Sequence, residues 1–148
     1  KGLLKLYKDD KVSLSTLYNF RGSVDKLIEK RVLLKSGANI IIEQLETMTV
    51  IDINSGKNIS KNEKSILEIN KEAAIEIARQ LQLRNISGMI IIDFINMKSK
   101  EYMEELVSVL KEQIKQDSVT CKFMDVTKLG LVELTRKKTY KSLKEIIS

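Results

Sequence analysis

The sequence predicts an α/β fold, a mixed sheet with helices packed on it, built as a single unit of 148 residues. Three observations carry that expectation. From Met48 to Asn54 the side chains alternate: Met48, Val50, Asp52 and Asn54 fall on one face of a strand, and Thr49, Ile51 and Ile53 on the other. The stretch that starts at Asn70, NKEAAIEIARQLQL, sets Ala73, Ala74, Ile77, Ala78 and Leu81 along one side of a helix. Met89–Ile95 then runs almost without interruption through apolar residues. Strand, helix and a continuously apolar second strand are the pattern of a parallel crossover unit.

Taken in order, residues 1–36 read as a lead-in and residues 37–148 as the core. Leu3–Tyr7 reads as a short strand, and Ser13–Phe20 is ambiguous. Ser23 suits the N-cap of a short helix that reaches about Lys30, with Asp25 in its first turn and Val24, Leu27 and Ile28 on one face. Arg31–Leu34 reads as a strand closed by Lys35-Ser36-Gly37. Asn39–Gln44 and Thr47–Asn54 are two strands, either a hairpin or one long bent strand. The polar residues 55–64 form a loop at the mouth of whatever site the strand ends build. The helix from Asn70 has Glu72 and Glu76 early and Arg79 and Arg84 late, in the sense the helix dipole favours. Ser99 caps a second helix whose apolar face is Met103, Leu106, Val107, Leu110 and Ile114. Val119–Val126 alternates as a strand, and Leu131–Leu134 after Gly130 reads as an edge strand.

Composition excludes several chemistries. Histidine is absent and there is one cysteine, so no Ser-His-Asp or Cys-His arrangement exists and no tetrahedral zinc shell can close. Cys121, on a strand, reads as a small buried hydrophobe, and a lone cysteine without a partner points to a reducing, cytoplasmic setting. No apolar run is long enough to span a membrane, and the opening KGLLKLYKDD has no leader-like core. The net charge of +6 fits a polyanionic partner such as nucleic acid. Residues 1–36 contribute nine basic and four acidic side chains to it.

What remains is chemistry based on carboxylates, amides and lysines. Asp52, two residues before Asn54, and Asp93, 41 positions later, each stand near the carboxyl end of an apolar strand. A carboxylate placed there is costly unless it is paired or binds something. Hard oxygen ligands with no soft ones suit Mg²⁺, or Mn²⁺, and phosphodiester hydrolysis. The competing reading is that both acids only cap neighbouring turns. Arg136, Lys137, Lys138, Lys141 and Lys144 form a basic cluster that either contacts phosphates or is a solvated face. Arg84 either points toward a substrate or caps its helix, and Arg79 is expected to cap.

The stretches RVLLKSGANIIIEQLETMTVIDINSGKN, NKEAAIEIARQLQLRNISGMIIIDFINM and KLGLVELTRKKTYKSL, with LYNFRGSVDKLIEKR before them, resemble the ribonuclease E/G family in the order of their motifs. The resemblance covers roughly Arg31 to Leu143 and falls on the family's deoxyribonuclease-I-like catalytic subdomain. It implies that Asp52 and Asp93 hold a catalytic Mg²⁺, with Asn54 as the supporting amide. It further implies an endoribonuclease that cuts single-stranded RNA to 5′-phosphate and 3′-hydroxyl ends, in rRNA processing and mRNA decay. The alternative is a nucleic-acid-binding or scaffold module that keeps the fold without turnover.

Two positions depart from the family pattern. The usual glycine-glycine-aromatic reads Gly37-Ala38-Asn39, and the frequent aspartate after the second motif is Asn96, which offers no carboxylate. The family's OB-fold RNA-binding domain, 5′-end sensor and zinc-sharing cysteine pair have no counterpart in these residues. The resemblance therefore implies a piece of a longer, homo-oligomeric enzyme. Alone, that piece is expected to be a monomer or weak oligomer that holds the chemistry, no zinc, and little of the RNA affinity.

Overall fold

The computed structural model describes residues 29–56, 62–139 and 142–147. The expected lead-in strand at Leu3–Tyr7, and all but the end of the expected short helix, lie outside them. The described chain forms β1 (Arg31–Leu33), β2 (Asn39–Gln44), β3 (Met48–Asn54), α1 (Glu63–Leu83), β4 (Gly88–Asp93), α2 (Lys100–Lys115), β5 (Cys121–Val126), β6 (Val132–Arg136) and α3 (Leu143–Ile147). The six strands make one mixed sheet in the order β1-β2-β3-β4-β6-β5. Only β3 and β4 run parallel, joined by α1 as the crossover pattern predicts; every other neighbouring pair is antiparallel.

The alternation seen in the sequence becomes two different sheet faces. Ile40, Ile42, Ile51, Ile53, Ile90 and Ile92 are buried beneath α1 and α2, which pack against each other. Each such isoleucine withdraws enough apolar surface to contribute about 1.5–3 kcal/mol. The intervening residues Ile41, Val50, Asp52, Ile91 and Asp93 lie on the opposite face, which the described helices leave open. The apolar run Met89–Ile95 is therefore covered on one side only, and Met89 is 46% exposed.

Several local expectations change for identifiable reasons. The strands Asn39–Gln44 and Met48–Asn54 are a hairpin, its turn closed by the Leu45 N–H donating to the Met48 carbonyl at 2.8 Å. Helix α1 starts at Glu63, seven residues before Asn70, because the Asn62 side chain accepts from the Ser65 N–H at 2.8 Å and caps the first turn. Ser99 caps α2 as expected, accepting from the Tyr102 N–H. Strand β6 is not an edge strand. It lies between β4 and β5, since Val132 and Leu134 are fully buried and both of its backbone edges are paired; β5 is the edge.

One end of the sheet is locked by a buried ion pair. Arg136, at the end of β6, donates from Nε to Asp117 at 2.7 Å and from Nη2 to the same carboxylate at 3.2 Å. Its Nη1 donates to the Asn85 side chain and the Ile86 carbonyl, at 2.9 and 3.1 Å. The guanidinium thereby joins the turn before β4, the turn before β5 and the end of β6. Nearby Cys121 has its thiol pushed up to about 11, chiefly by burial and then by the Asp117 charge, so it stays protonated at neutral pH.

Removing one partner of such a pair strands the other charge. Arg136→Ala is expected to lower the unfolding free energy by about 3–5 kcal/mol, measured by urea denaturation. A loss within the scatter of ordinary surface substitutions would show that the lock is dispensable.

Candidate functional site

Asp52 and Asp93 are register partners at the carboxyl ends of the two parallel strands. Paired positions point to the same side of a sheet, and neighbouring strands lie roughly 4.8 Å apart. The two carboxylates therefore stand side by side on the open face. Their row continues through Ile41 on β2 to Arg31 on β1. Arg31 is two strand spacings from Asp52, about 10 Å, and makes no ion pair with a described residue.

The local sequence explains the placement. Ile51, Ile53, Ile90 and Ile92 fix the register by filling the helix-covered face, which forces both aspartates to the other side. Just beyond β4, the fully buried Asn70 of α1 acts as an extra length of strand. Its Nδ2 donates to the Ile95 carbonyl at 2.9 Å, and its Oδ1 accepts from the Ile95 N–H at 3.0 Å. Glu63 accepts from the Ser99 N–H and ties the starts of the two helices together. After β3, Gly56 adopts φ 79°, a left-handed turn that glycine takes without strain.

Electrostatics mark the pair. The Asp52 carboxyl is raised above its ordinary value, first by burial and second by the Asp93 charge; a hydrogen bond from the Ile53 backbone opposes both. Asn54, on the same face two residues beyond Asp52, is exposed and pairs with Asn39 across the hairpin. The Asn39 amide oxygen is buried and accepts from no described residue. Asn96 is exposed, three residues past Asp93, in an irregular segment.

The donor set fits a small hard cation. Two carboxylates side by side on one face, with the Asp93 charge disfavouring ionisation of Asp52, offer the hard oxygens that a Mg²⁺ ion carrying several waters and phosphate oxygens would take from a protein. Among the described residues no group of three or more acids, cysteines or histidines converges, so an ion held by this pair would draw further ligands from water, amides or a substrate.

The structure separates the expected RNA contacts from this pair. Arg84 and Arg136, both candidates for RNA contact, are only 3% and 4% exposed, and their guanidinium groups are turned inward. Arg84 donates from Nε to Gln80 at 2.8 Å, and Arg136 is taken up by Asp117. Arg79 pairs with Glu76 one turn earlier at 2.9 Å, rather than serving as the helix cap. Lys137 and Lys138 are exposed, Lys138 lying 3.9 Å from Glu145, while Lys141 is outside the described residues. Arg136 pairs with Gly88, at the far end of β4 from Asp93. Five residues of strand, about 16 Å, therefore divide this basic end from the carboxylates.

Comparison with known proteins now bears on the pair. Residues 1–139 match the model of the Ribonuclease E/G family. The chain belongs to the ribonuclease E/G family. It is 41% identical over 133 residues to ribonuclease G of Haemophilus influenzae, covering 88% of this chain and 27% of that protein. It is 44% identical over 138 residues to ribonuclease E of a Synechocystis species, covering 90% of this chain and 20% of that protein. Ribonuclease G of Escherichia coli is 38% identical over 133 residues, with 88% of this chain and 27% of that protein covered. The chain thus spans about a quarter of the length of the relatives it matches. Among the described residues no helix is long and apolar enough to cross a membrane.

Asn70 is the site-shaping residue that the periodicity argument missed. Its signal is visible: a lone amide between Leu67 and Ala74 on the buried side of α1.

The raised Asp52 pKa has a testable consequence. An acid raised in the folded state binds its proton more tightly there than in the unfolded chain, so folding stability falls as pH rises from about 3.8 through the raised value. At neutral pH the ionised pair opposes folding. Asp52→Asn is expected to raise the melting temperature of the metal-free chain at pH 7. Mg²⁺ is expected to stabilise the parent chain and leave the variant unchanged. A lower melting temperature for the variant without metal would contradict this electrostatic account.

Proposed function

We propose that the chain is the catalytic subdomain of a divalent-metal-dependent endoribonuclease that cuts single-stranded RNA to 5′-phosphate and 3′-hydroxyl ends. The observation that carries the reading is the register pairing of Asp52 with Asp93 on the open face of the sheet. The family membership supplies the substrate class. On this reading the longer enzyme acts on cytoplasmic RNA, in rRNA processing and mRNA decay, and assembles as a homo-oligomer.

Asp52 and Asp93 would hold the ion, each through a hard carboxylate oxygen. Bound Mg²⁺ supplies Lewis acidity to a phosphate oxygen and acidifies a coordinated water. The chain's own contribution is positional. The paired strands fix the two carboxylates before substrate arrives, so little reorganisation is needed during reaction. Asn54 stands at the exposed end of β3, where its amide can hydrogen-bond a phosphate oxygen or a water. With no histidine in the chain, the proton required by the leaving 3′-oxygen comes from water or a lysine ammonium. The open face admits an extended strand, whereas no described element encloses a small ligand over the pair.

Asp52→Asn and Asp93→Asn, placed singly in the longer enzyme, are expected to slow cleavage of a single-stranded RNA more than about 100-fold at saturating Mg²⁺. RNA affinity measured in parallel stays close to that of the parent, because the phosphate contacts remain. Parent-like rates in both variants would refute the assignment and leave the non-catalytic RNA-binding or scaffold reading.

A further inference from the structure

The row that carries the two aspartates begins with a cation. Register pairing sets Arg31 beside Ile41, Ile41 beside Asp52 and Asp52 beside Asp93, so all four stand at one height on the open face. Arg31 is exposed on β1, the outermost described strand, and makes no ion pair with a described residue. It does not neutralise Asp52, whose carboxyl stays raised by burial and by the Asp93 charge. Among the described residues of β1 to β4, Arg31 is the one cation on this face.

The neighbouring rows confine a polyanion to this line. One row nearer the Arg136 end, Glu43 stands on one side of the apolar pair Val50 and Ile91, and Glu133 and Asp125 stand on the other. Those acids repel phosphates. One row the other way lie Leu33, Asn39 and Asn54, which carry no charge. The spacing along the line suits a nucleic-acid backbone. Two and a half strand spacings, about 12 Å, separate the Arg31 backbone from the middle of the acid pair. An arginine side chain leaning along the row covers about 6 Å of that, at roughly 1.5 Å per bond. The remainder leaves room for one backbone step. A phosphate over the acid pair therefore has its neighbour within reach of the guanidinium, which takes phosphate oxygens two at a time. Ile41 lies between them as an apolar floor.

We infer that Arg31 grips the phosphate next to the one being cut, so that single-stranded RNA crosses the open face from β1 to β4, perpendicular to the strands. The inference rests on the nuclease reading for its ligand and adds to it a substrate-binding residue and the line along which the substrate lies. The gripped phosphate does not react and its charge does not change. Arg31 therefore binds ground state and transition state equally, and its loss is felt in KM and not in kcat.

The test uses the longer enzyme. Arg31→Gln is expected to raise KM for a single-stranded RNA roughly tenfold, the worth of one charged contact, and to leave kcat unchanged. In EDTA, where nothing is cut, fluorescence anisotropy of a labelled oligouridine across a salt series reads the same contact. The slope of log affinity against log salt flattens by about 0.7, the share of one phosphate on a single strand. Arg31→Lys keeps the charge and the slope. Lys115→Gln, exposed on α2 on the other side of the sheet, changes neither readout. A neutral methylphosphonate placed in turn on each side of the cleavage site locates the contact. At one of the two positions it weakens the parent enzyme and costs the glutamine variant nothing further. A parent-like slope in Arg31→Gln overturns the inference, as does a methylphosphonate penalty that is the same in parent and variant, or an equal flattening in Lys115→Gln. So does a fall in kcat at an unchanged slope, which would assign Arg31 to the electrostatics of Asp52. Cleavage by the Asp52→Asn and Asp93→Asn variants is read separately, so the Arg31 contact and the nuclease reading can each fail alone.

Discussion

The parallel pairing of β3 with β4 sets two carboxylates side by side, and much of the surrounding architecture serves to keep them there. Pairing alone does not favour that outcome, because the Asp93 charge opposes ionisation of Asp52 and Asp52 is partly withdrawn from water. The isoleucines on the helix-covered face supply the counterweight. A one-residue slip of either strand would turn those side chains out to solvent, so the register is held by burial and the aspartates go where it sends them. Asn70, by pairing with both backbone groups of Ile95, stops the chain from relaxing away once β4 has ended.

The two ends of the sheet carry different kinds of charge. At the Asp93 end, like charges face each other unneutralised, an arrangement that favours a cation. At the Arg136 end, opposite charges are buried and saturated with hydrogen bonds, an arrangement that favours rigidity. Arg136 and Arg84 are internal, whereas Arg31 and Arg79 are exposed. A guanidinium with a planar set of donors suits the buried multi-partner junction that Arg136 makes.

The sheet-forming segments were legible because period-2 alternation and apolar runs report burial directly; β2, β3, β4 and the crossover through α1 all follow from them. The register that unites Asp52 with Asp93 was legible only as a suspicion drawn from their matching positions near strand ends. The start of α1 was missed because the polar run before Asn70 hides a cap at Asn62, and Ile66 and Leu67 alone do not establish a period. Strand β6 reads as an edge strand from sequence because a short run after a glycine turn says nothing about neighbours on both sides. The basic cluster misled for a related reason. Sequence spacing joins Arg136 to Lys137 and Lys138, but Arg136 is the last inward-facing residue of a strand, and only the pairing of β6 with β4 reveals that this end lies away from the acids.

The central claim is that Asp52 and Asp93 together form a divalent-cation site. The most direct measurement is a crystal structure of this chain soaked in Mn²⁺, with anomalous difference density to locate the ion. The account predicts one strong peak bridging the two carboxylates on the open face, at distances of about 2.0–2.2 Å, lost in Asp93→Asn crystals. Ordered carboxylates without a peak between them, or Mn²⁺ bound only elsewhere on the chain, would contradict it.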